Sequence, residues 1–291
     1  MKPIDYCAPS TVPEALGLLR TLGNKARPLA GGTDLMIFLQ HGRVDAETLV
    51  DLGRIPGLAG IDGLPDGGLH IGALTRLRDI ERSPVVRHQY AALAESMREL
   101  AGIQIRNMAT LGGNTCNASP AADTIPALMA LDAVAVIASE SGERRVPYTR
   151  FFVGPGRTVL APGELLTAIE LPATAPGTGS RYIKLAVRNA MDIAIVGVGV
   201  SVTLDGEHVV ACRIALGAVG PTVIRADAAE AALQGKLPDE ATIQAAADAA
   251  RDMARPISDQ RASAAYRKKM VGVVTRDALR SAVAAARQSR S

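Results

Sequence analysis

Residues 193–204 and 209–219 form two runs in which apolar or small residues alternate with others, and Asp205-Gly206 stands between them. A period of two sends successive side chains to opposite faces of a strand. An Asp-Gly pair between two such runs is the chemistry of a tight hairpin. This part of the chain is thereby committed to an antiparallel sheet, and residues 182–187 supply a further strand ahead of it. Three helical stretches follow, roughly 226–233, 239–254 and 263–287, with Gly235 and Pro256 ending the first two.

The first half has another rhythm. Thr11-Val12-Pro13-Glu14 has the form of a capping box with an early proline, and Gly23 can end the helix it opens. A short strand at 28–30 enters the loop Gly31-Gly32-Thr33-Asp34, and an apolar helix begins at Leu35. Residues 49–52 read as another buried strand. From Gly57 a second unit starts, with a strand at 69–73 and a short helix capped by Thr75 that carries Leu77 and Ile80. Residues 90–100 have helical spacing, with Leu93, Met97 and Leu100 on one face. The stretch 109–123 is dense in Gly, Asn, Thr and Ser and reads as a loop, with Ser119-Pro120 starting the next helix. A strand at 134–138 has its later neighbour at 165–171, and 173–180 reads as a linker. The fold class expected is α+β: a two-subdomain α/β unit over 1–56 and 57–176, then an antiparallel sheet with packed helices over 177–291.

Bulk properties exclude several functions. A chain of 291 residues is too long for one small core. Its 32 basic and 29 acidic residues leave a net charge of +3, too little to make nucleic acid the main partner. The opening MKPIDYCAPS lacks the apolar run of a signal peptide, and no stretch approaches the ~18 apolar residues of a membrane span. A cytoplasmic location is expected. Cys7, Cys116 and Cys212 are far apart with no CxxC, so this chain alone builds neither an iron–sulfur cluster nor a zinc site. Phosphate-loop, HExxH and GxSxG motifs are absent, and the GxG of Gly197 and Gly199 lies inside an alternating strand. No catalytic acid–base set stands out.

Two loops do. Leu29-Ala30-Gly31-Gly32-Thr33-Asp34-Leu35 and Thr110-Leu111-Gly112-Gly113-Asn114 share an apolar–Gly–Gly–polar form. Paired glycines allow close backbone approach, and successive N–H groups beside a helix start make an anion site. Each pair alone is also ordinary turn punctuation. Two such loops facing each other would suit a pyrophosphate.

The segments LAGGTDL (29–35), ATLGGNTCNASPAAD (109–123), GELLTAIELP (163–172), YIKLAVRNAMDIAIVGVGV (182–200) and RASAAYRKKM (261–270) resemble the FAD-binding medium subunits of molybdenum hydroxylases. That family includes the carbon monoxide dehydrogenase medium subunit and the flavin domain of xanthine dehydrogenase. The resemblance implies that Pro28, Leu29, Ala30, Gly31, Gly32, Thr33, Asp34 and Leu35 wrap the FAD pyrophosphate and ribityl chain. It implies that Thr110 donates its hydroxyl, that Gly112, Gly113 and Asn114 complete the phosphate cradle, and that Asp123 accepts from cofactor hydroxyls. Leu100, with Leu165 or Leu166, would give apolar contacts, and Lys184 would approach the isoalloxazine or its acceptor. Read without the resemblance, Lys184 is a strand lysine facing water and Asp123 an acid favoured in a first helical turn. Cys116 reads as a small loop residue.

The same resemblance implies non-covalent FAD, with molybdopterin on a large partner subunit and [2Fe–2S] on a small one, in a dimer of heterotrimers. Electrons would leave to NAD, oxygen or a quinone. The related medium subunits with an inserted four-cysteine cluster are disfavoured by the dispersed cysteines. Two other readings stand beside this one. The first is a self-sufficient FAD oxidoreductase of the same fold, with Tyr182, Lys184, Arg188 or Asp192 near the flavin. The second is a non-catalytic nucleotide-binding protein.

Overall fold

The computed structural model describes residues 3–289. The first helix, Val12–Leu22, begins where its side chains require: Thr11 accepts the Glu14 N–H at 3.3 Å, and proline occupies the first turn. The reciprocal arm is shifted by one residue, because the Glu14 carboxylate takes the N–H of Ser10, at 2.8 Å. Gly23, at φ 55°, ends the helix as expected. Strands Asp5–Cys7, Thr48–Asp51 and Ala26–Leu29 lie side by side in that order, all parallel. Parallel neighbours need crossovers, and helices Val12–Leu22 and Leu35–Gln40 lie in those connections. Ala15, Leu16, Leu19 and Val50 pack in a core that also takes in Ala138 and Leu165 of the next sheet.

That next sheet has five antiparallel strands, in the order Ile61–Gly63, Leu69–Gly72, Leu165–Leu171, Val134–Ser139 and Gly142–Pro147. The expected pairing of 165–171 with 134–138 is present, and the late strand also bonds Leu69–Gly72, which puts it at the centre. Helices Leu77–Arg82, Ala91–Glu99 and Thr124–Ala130 cover the sheet with fully buried Leu77, Leu93, Met97 and Leu128. Each such side chain contributes about 1.5–3 kcal/mol by leaving water.

Three local expectations fail here. Thr75 does not cap the helix that follows; its hydroxyl donates to the Gly60 carbonyl and accepts the Gly60 N–H, both at 2.9 Å, and the helix starts at Leu77. The stretch 109–123 is not all loop, since it contains helix Leu111–Asn117 with Thr110 as its cap. Ser119-Pro120 does not open a helix: Ser119 accepts the Ala121 N–H in a local turn, and the helix starts at Thr124. At Thr75 and Ser119 a bond made across the fold or nearby replaces the assumed cap, and at Thr110 a cap forms where a loop was expected, choices that local spacing does not reveal.

The third sheet runs in chain order, with strands Thr178–Leu185, Val196–Asp205, His208–Gly217 and Ile224–Arg225, all antiparallel. Asp205 pairs with His208 across the Asp-Gly turn, and Gly206 adopts φ 53°. The first strand begins at Thr178, inside the stretch expected to be linker. Helices Asp227–Leu233, Glu240–Met253 and Ala264–Gln288 cover the sheet, near their expected bounds. A Cβ at Gly199 would stand 2.3 Å from the Pro126 carbonyl oxygen, so this glycine serves the contact between the third sheet and helix Thr124–Ala130. No helix among the described residues is long and apolar enough to cross a membrane.

Candidate functional site

A cavity of about 560 Å³ opens where the first loop, the 100–123 segment and residues 191–193, between the first two strands of the third sheet, meet. Cofactor-sized sites span roughly 300–1,000 Å³. Both Gly-Gly loops reach it, but in different ways.

The first loop leaves strand Ala26–Leu29 and turns at Gly32, φ 70°. A Cβ on Gly31 would lie 2.1 Å from the Met108 carbonyl oxygen and 2.9 Å from the Ala109 Cα, so Gly31 is what lets the first loop rest on the backbone entering the second. The N–H groups of Gly31, Gly32, Thr33 and Asp34 meet no acceptor among the described residues. Four consecutive free donors beside a cavity are a standing demand for an anionic or carbonyl partner.

In the second loop the donors are already engaged. Leu111 N–H bonds the Thr75 carbonyl at 3.0 Å, Gly112 N–H the Ala73 carbonyl at 2.8 Å and Gly113 N–H the Thr110 hydroxyl at 3.1 Å. A Cβ at Gly112 would sit 2.6 Å from the Ala73 Cβ. Two side chains nevertheless remain able to donate. The Thr110 hydroxyl accepts from Gly113 and keeps its own hydrogen. Asn114 accepts the Thr124 hydroxyl at Oδ1, and its amide nitrogen has no acceptor among the described residues. Both residues line the cavity.

Asp123 lines it too, from the residue before helix Thr124–Ala130. Its Oδ1 accepts the Tyr182 hydroxyl at 2.7 Å and its Oδ2 the Lys184 ammonium at 3.0 Å. Burial pushes the Asp123 carboxyl up to about 6, with Lys184 and Tyr182 restraining the rise. Lys184 also donates to the Glu99 carbonyl at 2.9 Å, and its side chain is 3% exposed. It therefore neither faces water nor lines the cavity; it neutralises Asp123 from behind. Nearby, Leu100 and Ala101 form a corner in which Ala101 takes φ 46°. Arg106 holds that corner by donating to both carbonyls, at 2.9 and 2.8 Å, while Glu81 pairs with the guanidinium at 3.0 Å.

Of the residues anticipated, Pro28, Ala30, Gly31, Gly32, Thr33, Asp34, Leu35, Leu100, Thr110, Gly113, Asn114 and Asp123 are brought together around the cavity. Leu29 packs instead beside Leu39 and Leu49. Gly112 is buried against Ala73, and Leu165 and Leu166 belong to the cores beneath the central strand. Cys116 reaches the wall, where burial pushes its thiol up to about 12 and keeps it protonated.

Residues not anticipated also line the cavity, among them Arg27, Phe38, Ile105, Asn117 and the loop residues Met191 and Ile193, while Asp192, considered only for a self-sufficient flavoenzyme, lines it between those two. Arg27 is the one cation there among the described residues, and no carboxylate pairs with it. Its position next to the first loop was a usable signal; Met191 and Ile193 carried none. The donor set of four N–H groups, a guanidinium, a hydroxyl and an amide, beside Leu35, Phe38, Leu100 and Ile105, suits a ligand with an anionic centre and a flat apolar end. FAD meets that description.

Two family descriptions match the chain almost end to end: "FAD binding domain in molybdopterin dehydrogenase" over residues 2–174 and "CO dehydrogenase flavoprotein C-terminal domain" over 181–282. The chain belongs to this family of FAD-binding medium subunits of molybdenum hydroxylases, which are oxidoreductases. It is 37% identical to the carbon monoxide dehydrogenase medium chain of Hydrogenophaga pseudoflava over 279 residues, 96% of each chain. It is 34% identical over 283 residues to a putative xanthine dehydrogenase FAD-binding subunit of Escherichia coli, covering 97% of each. Its fold is similar to a solved structure of carbon monoxide dehydrogenase from Hydrogenophaga pseudoflava that lacks the Mo-pyranopterin moiety of the molybdenum cofactor. That likeness has a TM-score of 0.94 and 39% identity, over 97% of this chain and 98% of that one.

Proposed function

We propose that this chain is the electron-transfer subunit of a larger complex, binding FAD non-covalently, receiving electrons from a [2Fe–2S] small subunit and passing them to an external acceptor. A molybdopterin large subunit would carry the substrate chemistry, in a dimer of heterotrimers in the cytoplasm. FAD, when bound, supplies a carrier that links one-electron and two-electron chemistry. The residues of this chain bind and orient it. The free N–H groups of Gly31 to Asp34 and the Arg27 guanidinium receive the diphosphate, Thr110 and Asn114 donate from the facing loop, and Asp123 keeps lone pairs for cofactor hydroxyls. Pro28, Ala30, Leu35 and Leu100 form walls. Leu29, Gly112, Leu165, Leu166 and Lys184 act one step behind, by holding those groups in place. The units 1–56, 57–176 and 177–291 would each contribute one side of the cavity.

The observation that carries this reading is the run of four unpaired backbone donors that shares one cavity with Thr110, Asn114 and Arg27. The partners are supported by the rim. Met36, Ile37, Ile103, Ile105, Met108, Met191 and Ile193 are exposed apolar side chains on the segments that line or border the cavity, and such concentrations mark contact surfaces. A self-sufficient flavoenzyme has less support. Tyr182 and Lys184 are committed to Asp123, and Arg188 pairs with Asp192 at 3.6 Å.

The test is a visible absorption spectrum of the purified chain, before and after denaturation. Flavin absorption that moves to the supernatant as free FAD is expected. Rapid mixing with the reduced iron–sulfur subunit should then bleach the flavin. No flavin band after incubation with excess FAD would refute the cofactor assignment, and bound flavin that stays oxidised on mixing would refute the electron route.

A further inference from the structure

A buried arginine on the last helix connects two walls of the cavity. Arg267, in helix Ala264–Gln288, is 3% exposed. Its Nη1 donates to the Ile195 carbonyl at 2.8 Å and to the Ala218 carbonyl at 3.3 Å, and its Nη2 donates to Asp259 Oδ1 at 2.8 Å. The Arg261 and Ala262 N–H groups, at 2.8 and 3.3 Å, donate to the same Asp259 oxygen. Those N–H groups and the guanidinium hold its carboxyl well below the ordinary carboxylate range.

Both carbonyls belong to segments that reach the cavity. Ile195 closes the excursion between strands Thr178–Leu185 and Val196–Asp205: its N–H returns to the Leu185 carbonyl at 2.7 Å, and Met191, Asp192 and Ile193 line the cavity from within that excursion. Ala218, at φ 62°, donates its N–H to the Pro120 carbonyl at 2.8 Å, and Pro120 stands between the lining residues Ser119 and Ala121. One guanidinium thus holds the roots of two walls at a set distance from the helix.

A planar fork can reach three acceptors in fixed directions, which a lysine ammonium on a flexible stem does less well. Attachment of the helix alone needs no such group, because apolar side chains replace a buried ion pair without loss of stability. The Nε of Arg267 is also left without an acceptor, a cost that helix packing would avoid.

We propose that Arg267 is a positioning residue for the flavin: through Ile195 and Ala218 it sets the spacing of the cavity walls and so the affinity and environment of the cofactor. This rests on the reading that the cavity holds FAD.

The test uses the full chain, with FAD titrated by flavin fluorescence and bound flavin followed by visible circular dichroism. R267M should weaken FAD roughly 5- to 150-fold, the range of a 1–3 kcal/mol coupling, and alter the dichroism of what remains bound. R267K should recover part of both. R280A, on the same helix as Arg267, removes an exposed pair with Glu240 of helix Glu240–Met253 and should leave both unchanged. Wild-type chain that binds no FAD would overturn the cofactor reading and this inference with it. Wild-type affinity and dichroism in R267M would overturn this inference alone. If R267M does not fold, R267K and Asp259→Asn carry the test, and wild-type values in both overturn it.

Discussion

The loops at Gly31-Gly32 and Gly112-Gly113 are spelled alike, yet they use their glycines differently. In the first, Gly31 permits contact with the Met108 carbonyl and the following N–H groups stay free. In the second, Gly112 permits contact with Ala73, and the N–H groups from Leu111 to Gly113 are closed by Thr75, Ala73 and Thr110. One pair leaves its donors free beside the cavity; the other seats a short helix on the end of a strand. The lesson is that Gly-Gly marks a close approach and does not say to what. Whether a ligand or the protein itself takes the N–H groups depends on which carbonyls lie within reach.

That contrast can be broken most directly at Gly31. Gly31→Ala places a Cβ in overlap with the Met108 peptide, so the loops must part. FAD affinity should fall by roughly 5- to 150-fold, the range of a 1–3 kcal/mol coupling, a larger effect than the loss in melting temperature of the chain without FAD, because a half-buried loop relieves the clash by moving off the Met108 peptide. Fluorescence titration beside a thermal melt reads both, and a variant that loses stability but keeps its affinity would erase the distinction between the loops. Gly112→Ala should show the reverse order. Its cost, about 1–3 kcal/mol, falls on folding because Gly112 and Ala73 are both buried and the short helix cannot move aside; chemical denaturation of the cofactor-free chain measures it, and unchanged stability would sink the assignment. The smallest effect belongs to Thr110→Val. Loss of the cap should cost ~1 kcal/mol, and loss of the remaining hydrogen donor should weaken FAD a few-fold. Thr110→Ser should restore both, and failure to do so would remove the hydroxyl from the account.

Much of the architecture was legible because it rests on short-range rules. The Asp205-Gly206 turn, the alternation around it and the three following helices follow from side-chain period and backbone freedom. Both glycine loops were visible for the same reason, whereas site roles for Thr110 and Asp123 came only with the family resemblance. Helix Leu111–Asn117 was not. Its glycines, asparagines and threonine have poor helix propensity, and it holds through Thr110, the buried Leu111 and bonds to residues some 35 positions earlier in the chain. Met191 and Ile193 were missed because nothing in their spelling distinguishes a cavity wall from a surface excursion.

Lys184 is the sharpest case. As a lone cation on a strand it could face water or a cofactor, and only the packing of the third sheet against Glu99 and Asp123 buries it as a counter-ion. By itself the sequence determined the three-part α+β plan, the two tight approaches at Gly-Gly and the family, since turn chemistry and periodicity act over a few residues. The tertiary structure decided which N–H groups remain free, which charges are paired and which segments share a cavity. Those outcomes depend on distances between residues far apart in the chain, and a hydrogen bond or ion pair is made or lost within about 1 Å of them.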